Sequence, residues 1–149
     1  MSRAFTTRRQ GIVNALVDKL KDIDGTGFFR ANVNENVSPR LKFWDEVDEF
    51  PALHLNAGSE TRQYQASGYK DRFLSITIRC YVSDEDAVNA LDELLEDVET
   101  VIEENSRLLY KDRNNSDQYT QQITVVSIDT DEGVLEPLGV GEMLIEARY

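Results

Sequence analysis

The chain has 149 residues, of which 40% are hydrophobic and 30% are charged. This length fits one domain with a sizeable core, and no apolar run is long enough to cross a bilayer. The formal net charge is −12, and the 16 basic residues are scattered along the sequence, which disfavours direct high-affinity binding of nucleic acid. We therefore predict a single domain, residues 1–149, that is neither disordered nor embedded in a membrane.

The N-terminal region predicts an amphipathic helix. Thr6 or Thr7 can cap it, and Asp24 and Gly25 can end it. Its apolar residues recur at three- and four-residue spacing and form one face: Ile12, Val13, Leu16, Val17 and Leu20. No apolar segment of signal-peptide length lies near the N-terminus, so export is not indicated. The sequence comes nearest to a basic cluster at Arg3, Arg8 and Arg9. This group could contact an acidic neighbouring subunit as well as it could contact nucleic acid.

After this helix, residues 28–33 have the composition of a short strand, and residues 34–48 form an irregular connection. Trp44, the only tryptophan, lies in that connection. We expect it to pack on the core as an anchor rather than to bind a ligand.

Two strands separated by a polar stretch are predicted next. Residues 52–56 form the first strand, and residues 73–82 form the second, with an apolar residue at every alternate position. The stretch between them, residues 57–71, is long for a connection in a compact domain unless it has a function. We predict a contact arm here, and a mobile surface loop is the alternative.

An acidic helix follows, beginning at Ser83 or Asp84. Ten of the 28 acidic residues lie within residues 84–104, with no lysine or arginine among them. A solvated helix face is the simpler interpretation, and the wall of a conduit that repels DNA is the alternative. The opposite side is an apolar stripe, which needs a sheet to cover: Ala87, Val88, Leu91, Leu94, Leu95, Val98, Val101 and Ile102.

The last third predicts a polar loop at residues 106–119 and two strands, at residues 122–129 and 143–149, joined by residues 130–142. Neighbouring strands joined by turns favour antiparallel pairing. The fold class is therefore α+β, with a mainly antiparallel or mixed sheet of about five strands and two main helices packed on one face.

No catalytic, cofactor-binding or metal-binding residues are predicted. The single histidine, His54, and the single cysteine, Cys80, should point to opposite sides of the sheet, which rules out a thiol dyad. Cys80 is expected to be a reduced, buried thiol. Residues 129–140 begin like a calcium loop, but Gly133 and Val140 occupy ligand positions, so a hairpin turn is predicted instead. A structural or interaction role is favoured over an enzyme.

The order of elements resembles that of the tail terminator proteins of tailed bacteriophages, the family that includes the minor tail protein U type. The resemblance covers nearly the full chain, and it is one of pattern, without an invariant signature. The segments that carry it are residues 10–20, Phe50-Pro51-Ala52-Leu53-His54-Leu55, residues 73–82, residues 87–102 and residues 128–139.

This resemblance implies a structural virion protein, assembled in the host cytoplasm, that forms a homohexameric ring on the tail tube. Such a ring stops tube polymerisation and gives the head connector a docking surface. The implied partners are other copies of the chain, the tail tube protein, the head-completion or connector protein and, if the tail is contractile, the sheath protein. DNA would pass through the lumen without specific binding, and no membrane is involved.

Candidate contact residues follow from loop position and polarity. For the tube or subunit interface they are Ser59, Glu60, Thr61, Arg62, Gln63, Tyr64, Tyr69, Asp131, Glu132 and Glu136. For an acidic lumen they are Asp92, Glu93, Glu96 and Glu99. Two other functions fit the same sequence: another neck component, such as a head-closure or tail-tube protein, and an acidic adaptor or DNA mimic that binds a basic partner.

Overall fold

The structure is a computed structural model that describes residues 7–33, 35–41, 47 and 49–149. Its elements, in chain order, are α1 (Arg8–Leu20), β1 (Val37–Ser38), β2 (Ala52–Tyr64), β3 (Lys70–Ser83), α2 (Ala87–Glu104), β4 (Leu109–Lys111), β5 (Asp117–Tyr119), β6 (Gln122–Thr130) and β7 (Leu138–Arg148).

One five-stranded sheet, in the order β1-β2-β3-β7-β6, forms the centre of the molecule, and β4 and β5 form a separate two-stranded sheet. β1 pairs with β2 in parallel, and the pairs β2–β3, β3–β7 and β6–β7 are antiparallel. The predicted α+β class with a mainly antiparallel sheet is confirmed.

Both helices cover the same face of the sheet. The register places Leu53 opposite Cys80 and Ile78 opposite Met143, so the apolar positions of adjacent strands lie side by side on that face. The apolar residues of α1 and α2 join them in one buried cluster. At Gly141 the helix lies close to the sheet, because a Cβ there would lie 3.2 Å from the Leu91 side chain. The predicted placement of the helices is confirmed.

The helix caps show where local chemistry sets the boundaries. Thr7 caps α1 as predicted and accepts a hydrogen bond from the Gln10 N–H at 3.1 Å. α2 is capped by Asp86 rather than by Ser83 or Asp84. The predicted start of the helix is two or three residues too early. The Asp84 carboxylate accepts a hydrogen bond from the Asp86 N–H at 2.9 Å and so forms a separate turn before the helix. The stripe is buried as predicted except at Val88, which is exposed.

The strand predicted at residues 28–33 was wrong. This segment has a single bridge, between Asp24 and Asn32, and Phe28 is 92% exposed. The reason is a buried side chain of α2: the Asp97 carboxylate accepts the backbone N–H groups of Arg30 at 3.0 Å and Ala31 at 2.7 Å. Those donors are therefore bound by a side chain and are not available to a β-ladder. The predicted anchor Trp44 lies outside the described residues.

The loop predicted at residues 106–119 was also wrong, because it contains the β4–β5 hairpin. Asp112 forms its turn by accepting the backbone N–H groups of Asn114 and Ser116, both at 2.9 Å. This hairpin packs on α1, where the Arg8 guanidinium donates to the hydroxyl of buried Tyr110 at 3.0 Å. The strand that begins at Leu138 starts earlier than predicted. A turn follows β6 as predicted, but it occupies residues 131–137, because β6 continues through Thr130.

Gly11 allows β4 to approach α1, because a Cβ there would collide with the Lys111 carbonyl oxygen. In a free helix, Gly→Ala should stabilise by about 1 kcal/mol. In this chain we expect Gly11→Ala to lower the free energy of unfolding by about 1 to 3 kcal/mol, because the collision outweighs that gain. Urea denaturation measures the change. Asn14→Ala, at an exposed position of α1, is the matched control and should be neutral or stabilising. Equal effects of the two substitutions would contradict the close contact.

Candidate functional site

The segment predicted as a polar loop at residues 57–71 is a β-hairpin, which we call the arm (residues 57–72). β2 and β3 pair continuously to Tyr64 opposite Lys70, apart from a bulge between Ala57 and Glu60. The turn occupies residues 65–69 and is closed by a hydrogen bond from the Gln65 N–H to the Tyr69 carbonyl at 2.7 Å. The boundaries of the predicted strands were therefore wrong, although the proposed role of the segment as an arm stays a prediction.

The arm extends beyond the rest of the sheet. β7 ends where Arg72 and Tyr149 exchange two backbone hydrogen bonds, at 3.1 and 2.9 Å. Past that point the tyrosines near the tip, Tyr64 and Tyr69, are 72% and 74% exposed. Ser59, Thr61 and Gln63 are also exposed, as a contact role requires.

Glu60 differs from the other candidate residues of the arm, because its side chain is only 7% exposed. It accepts a hydrogen bond from the Tyr149 hydroxyl and forms an ion pair with Arg62 at 3.0 Å. Burial raises the pKa of Glu60, but the hydrogen bonds from Tyr149 and Arg62, together with the positive charges of Arg62 and Arg9, keep that pKa below its ordinary value. Glu60 therefore organises the base of the arm.

A pocket of about 420 Å³ lies between the base of the arm and α1, and its wall contains five arginines. We call it the arginine pocket. The basic residues are scattered along the sequence, as noted above, but the fold brings arginines from four separate segments to this wall. Their spacing in sequence gives no local signal beyond the pair at the start of α1. The arginines are Arg8, Arg9, Arg62, Arg72 and Arg113; Arg3 lies outside the described residues.

Tyr149 organises the arginine pocket. The guanidinium carbons of Arg8 and Arg72 lie 5.0 and 5.7 Å from the centre of its ring, within the range of cation–π attraction. Burial raises the pKa of Tyr149 to about 12, with a further contribution from the Glu60 carboxylate, so its hydroxyl remains a donor at neutral pH. Arg9 donates to the carbonyls of Ala57, at 3.4 Å, and Gly58.

The positive charge of the arginine pocket exceeds the negative charge near it. Glu60 lies in its wall. Backbone hydrogen bonds lower the pKa of Asp112, and the nearby positive charge of Arg8 lowers that pKa further. Five guanidinium groups therefore line a pocket whose wall contains one carboxylate, Glu60, and Asp112 lies near Arg8. The pocket is suited to an anionic group, and a carboxylate matches the planar fork of arginine.

The second predicted contact segment, the β6–β7 loop (residues 131–137), lies at the opposite end of the sheet. The side chain of Asp131 is used within the loop, where it accepts from the N–H groups of Gly133 at 3.4 Å and Leu135 at 3.3 Å. Glu132 and Glu136 are exposed. Val134, between them, is 83% exposed, so this acidic loop also carries apolar surface.

An apolar groove of about 640 Å³ adjoins the β6–β7 loop on the helix-free face of the sheet. Its rim includes the ion pair between Arg79 and Glu142. Exposed apolar concavities of this kind are typical of interaction sites. The apolar side chains of its wall are Phe50, Tyr81, Val82, Leu135, Leu138 and Val140.

The acidic face of α2 is exposed at Asp92 and Glu96 and half-buried at Glu93 and Glu99. Among the described residues, the ion pairs involve none of these four carboxylates. Asp97 belongs to the same acidic run but is buried and bound to the backbone of residues 30–31. The acidic face of α2 is therefore strongly negative, and Asp97 is the member of the acidic run whose carboxylate supports the fold instead of facing solvent.

We expect Asp97→Ala to lower the free energy of unfolding by about 2 kcal/mol, because two buried backbone N–H groups would lose their acceptor. Chemical denaturation measures this change. Asp97→Asn should cost less, since its amide oxygen can still accept. Glu96→Ala, one residue earlier and exposed, should change stability by less than about 0.5 kcal/mol. A loss at Glu96 as large as the loss at Asp97 would contradict the assigned contact.

Catalysis by a thiol dyad is excluded by the register. His54 pairs with Arg79 and Leu53 pairs with Cys80, so the His54 and Cys80 side chains point to opposite faces as predicted. Cys80 is fully buried, and burial raises its pKa to about 12. Its thiol therefore stays protonated and unreactive at neutral pH.

We expect no reaction between native Cys80 and the aromatic disulfide DTNB at pH 8, and reaction of one thiol per chain after denaturation in guanidinium chloride. Absorbance of the released thiolate measures both. Ser83→Cys, at the exposed end of β3, is the positive control and should add one thiol that reacts in the native protein. Rapid reaction of Cys80 in the native protein would contradict its burial.

Within the described ranges, no group of histidine, cysteine, aspartate and glutamate side chains could hold a metal ion. In the same part of the chain, no helix combines the length and apolar character needed to cross a membrane.

Comparisons with known proteins agree with the resemblance seen in the sequence. A sequence profile of the family described as Bacteriophage Tail Tube Terminator Protein matches residues 6–149. The tail tube terminator protein p142 of Escherichia phage T5 is 33% identical over 150 residues, which cover 95% of this chain and 92% of that protein. A chain from the virion of a native gene transfer agent particle has the same fold, with a TM-score of 0.59 over 99% of this chain and 98% of that one, at 10% identity.

Proposed function

Because the chain belongs to the bacteriophage tail tube terminator protein family, we propose that it forms a homohexameric ring that caps the tail tube, stops its polymerisation and offers a docking surface to the head connector. Membership of this family makes the chain a structural component of the phage tail rather than an enzyme, as the sequence predicted. The same match favours a terminator over a head-closure or tail-tube protein and over an acidic adaptor.

One observation carries the ring proposal: the two ends of the sheet present unlike surfaces. The arm and the arginine pocket lie at one end, and the acidic β6–β7 loop lies at the other. Self-association through unlike surfaces is heterologous, and it produces either a closed ring or an open filament. A protein that limits the length of a tube requires the closed form.

The arm is the proposed contact with the tail tube. Two exposed tyrosines, Tyr64 and Tyr69, lie near its tip, and the exposed polar residues Ser59, Thr61 and Gln63 lie along its first strand. Tyrosine is enriched in interfaces because its ring buries a large area while its hydroxyl can still donate a hydrogen bond. The β6–β7 loop, with Asp131, Glu132 and Glu136, is the proposed second contact.

The acidic face of α2 is proposed to line the lumen of the ring. Asp92, Glu93, Glu96 and Glu99 would repel the phosphate backbone of DNA, so that DNA passes without binding. The net charge of −12 per chain supports this proposal. The connector would dock on the surface opposite the tube, and a sheath would dock there too if the tail is contractile.

The test of the function adds the purified protein to tail tube protein that is polymerising. We expect shorter tubes with a ring at one end in negative-stain images, and a hexamer in native mass spectrometry. Tyr64→Ser with Tyr69→Ser should raise the protein concentration needed for capping about tenfold, since exposed tyrosines at an interface contribute about 1 to 2 kcal/mol. Tyr119→Ser is the matched control, because Tyr119 is also exposed but lies in the β4–β5 hairpin. Tubes of unchanged length, with no ring at either end, would refute the proposal.

A further inference from the structure

We propose that the arginine pocket binds the acidic β6–β7 loop of a neighbouring copy, so that the ring closes through a head-to-tail ionic contact. This inference rests on the proposed ring and adds the residues that join its subunits.

Charge is the first argument. The pocket places five arginines beside two carboxylates, in a chain whose net charge is −12. The β6–β7 loop has the opposite character, because no lysine or arginine lies between Arg113 and Arg148. The pocket therefore has an excess of positive charge and the loop an excess of negative charge, with Arg79 of the adjoining groove already paired with Glu142.

Geometry is the second argument. The β6–β7 loop precedes Leu138, and the arginine pocket contains Tyr149, which follows the end of β7 at Arg148. β7 has 11 residues, so the two surfaces are about 36 Å apart along an extended strand. The loop of one chain cannot reach its own pocket, and the contact must be made by a second copy.

The side chains of the loop identify the ligand groups. Asp131 accepts hydrogen bonds from Gly133 and Leu135 within the loop, whereas Glu132 and Glu136 are exposed and available to a neighbour. The exposed Val134 between them would be buried by the same contact. Stacking on Tyr149 restrains the Arg8 and Arg72 side chains before binding. A carboxylate therefore binds them at a lower entropic cost than it would bind freely moving arginine side chains.

A second copy is favoured over DNA as the occupant. Proteins that bind the DNA backbone spread their basic residues along a stripe, whereas these arginines surround a concave pocket that already contains the Glu60 carboxylate.

The experiment reverses the charge of each surface. The pocket variant is Arg72→Glu with Arg113→Glu, the loop variant is Glu132→Arg with Glu136→Arg, and the combined variant has all four changes. Native mass spectrometry and sedimentation velocity measure assembly of the full chain, alone and with tail tubes. Each single-surface variant should weaken assembly at least about tenfold, and the combined variant should regain it, because opposite charges meet again.

Two controls separate assembly from folding and from net charge. Glu103→Arg with Glu104→Arg makes the same charge change as the loop variant, at exposed positions near the end of α2, and should leave assembly unchanged. Recovery in the combined variant would show that the single-surface variants had lost the contact and had not unfolded.

Assembly of the wild type should also weaken when NaCl is raised from 50 to 500 mM, because salt screens exposed charges.

The other outcomes overturn the inference and remain distinguishable from a failure of the ring. If the wild type forms hexamers and both single-surface variants form them equally well, the pocket and the loop are not the interface, although the ring stands. If the pocket variant keeps the hexamer but no longer caps tubes, the tube protein is the occupant. If wild-type protein binds duplex DNA in 150 mM NaCl and the pocket variant does not, nucleic acid is the occupant. A wild type that stays monomeric even on tubes refutes the ring itself.

Discussion

The register of β3 between β2 and β7 is the constraint on which the rest of the structure depends. It sets the apolar positions of three strands side by side on one face, and a shift of β3 by one residue would turn all of its apolar side chains to the other face. Both helices can then bury their stripes against that face. The same register places the arm beyond one end of the sheet and the β6–β7 loop beyond the other, so the functional surfaces are consequences of the core.

Periodicity made the core predictable from sequence. The alternation in β3 and the three- and four-residue spacing in α1 and α2 each report burial on one side, and the structure buries those sides. The arm escaped prediction for the same physical reason. Most of its residues are exposed on both faces, so no alternation of apolar and polar residues marks it as a strand.

Other features could not be predicted because their causes are non-local. The β4–β5 hairpin is polar in sequence and depends on packing against Gly11 of α1. The irregular backbone at residues 30–31 is held by Asp97, which sequence alone placed with its exposed acidic neighbours. The arginine pocket joins residues as distant as Arg8 and Arg113. Composition gave the total charge of the chain, and only the fold separates that charge into two unlike ends.

The exposure of the arm has a consequence for how such a protein can change. Beyond the backbone hydrogen bonds between Arg72 and Tyr149, the two strands of the arm pair with each other, so this outer part can open without disturbing the buried cluster. Substitutions or changes of length near its turn therefore leave the free energy of the core almost unaffected. A lineage could alter the tip to follow a changing partner surface while keeping the same domain beneath it, which makes the arm the most adaptable part of the subunit.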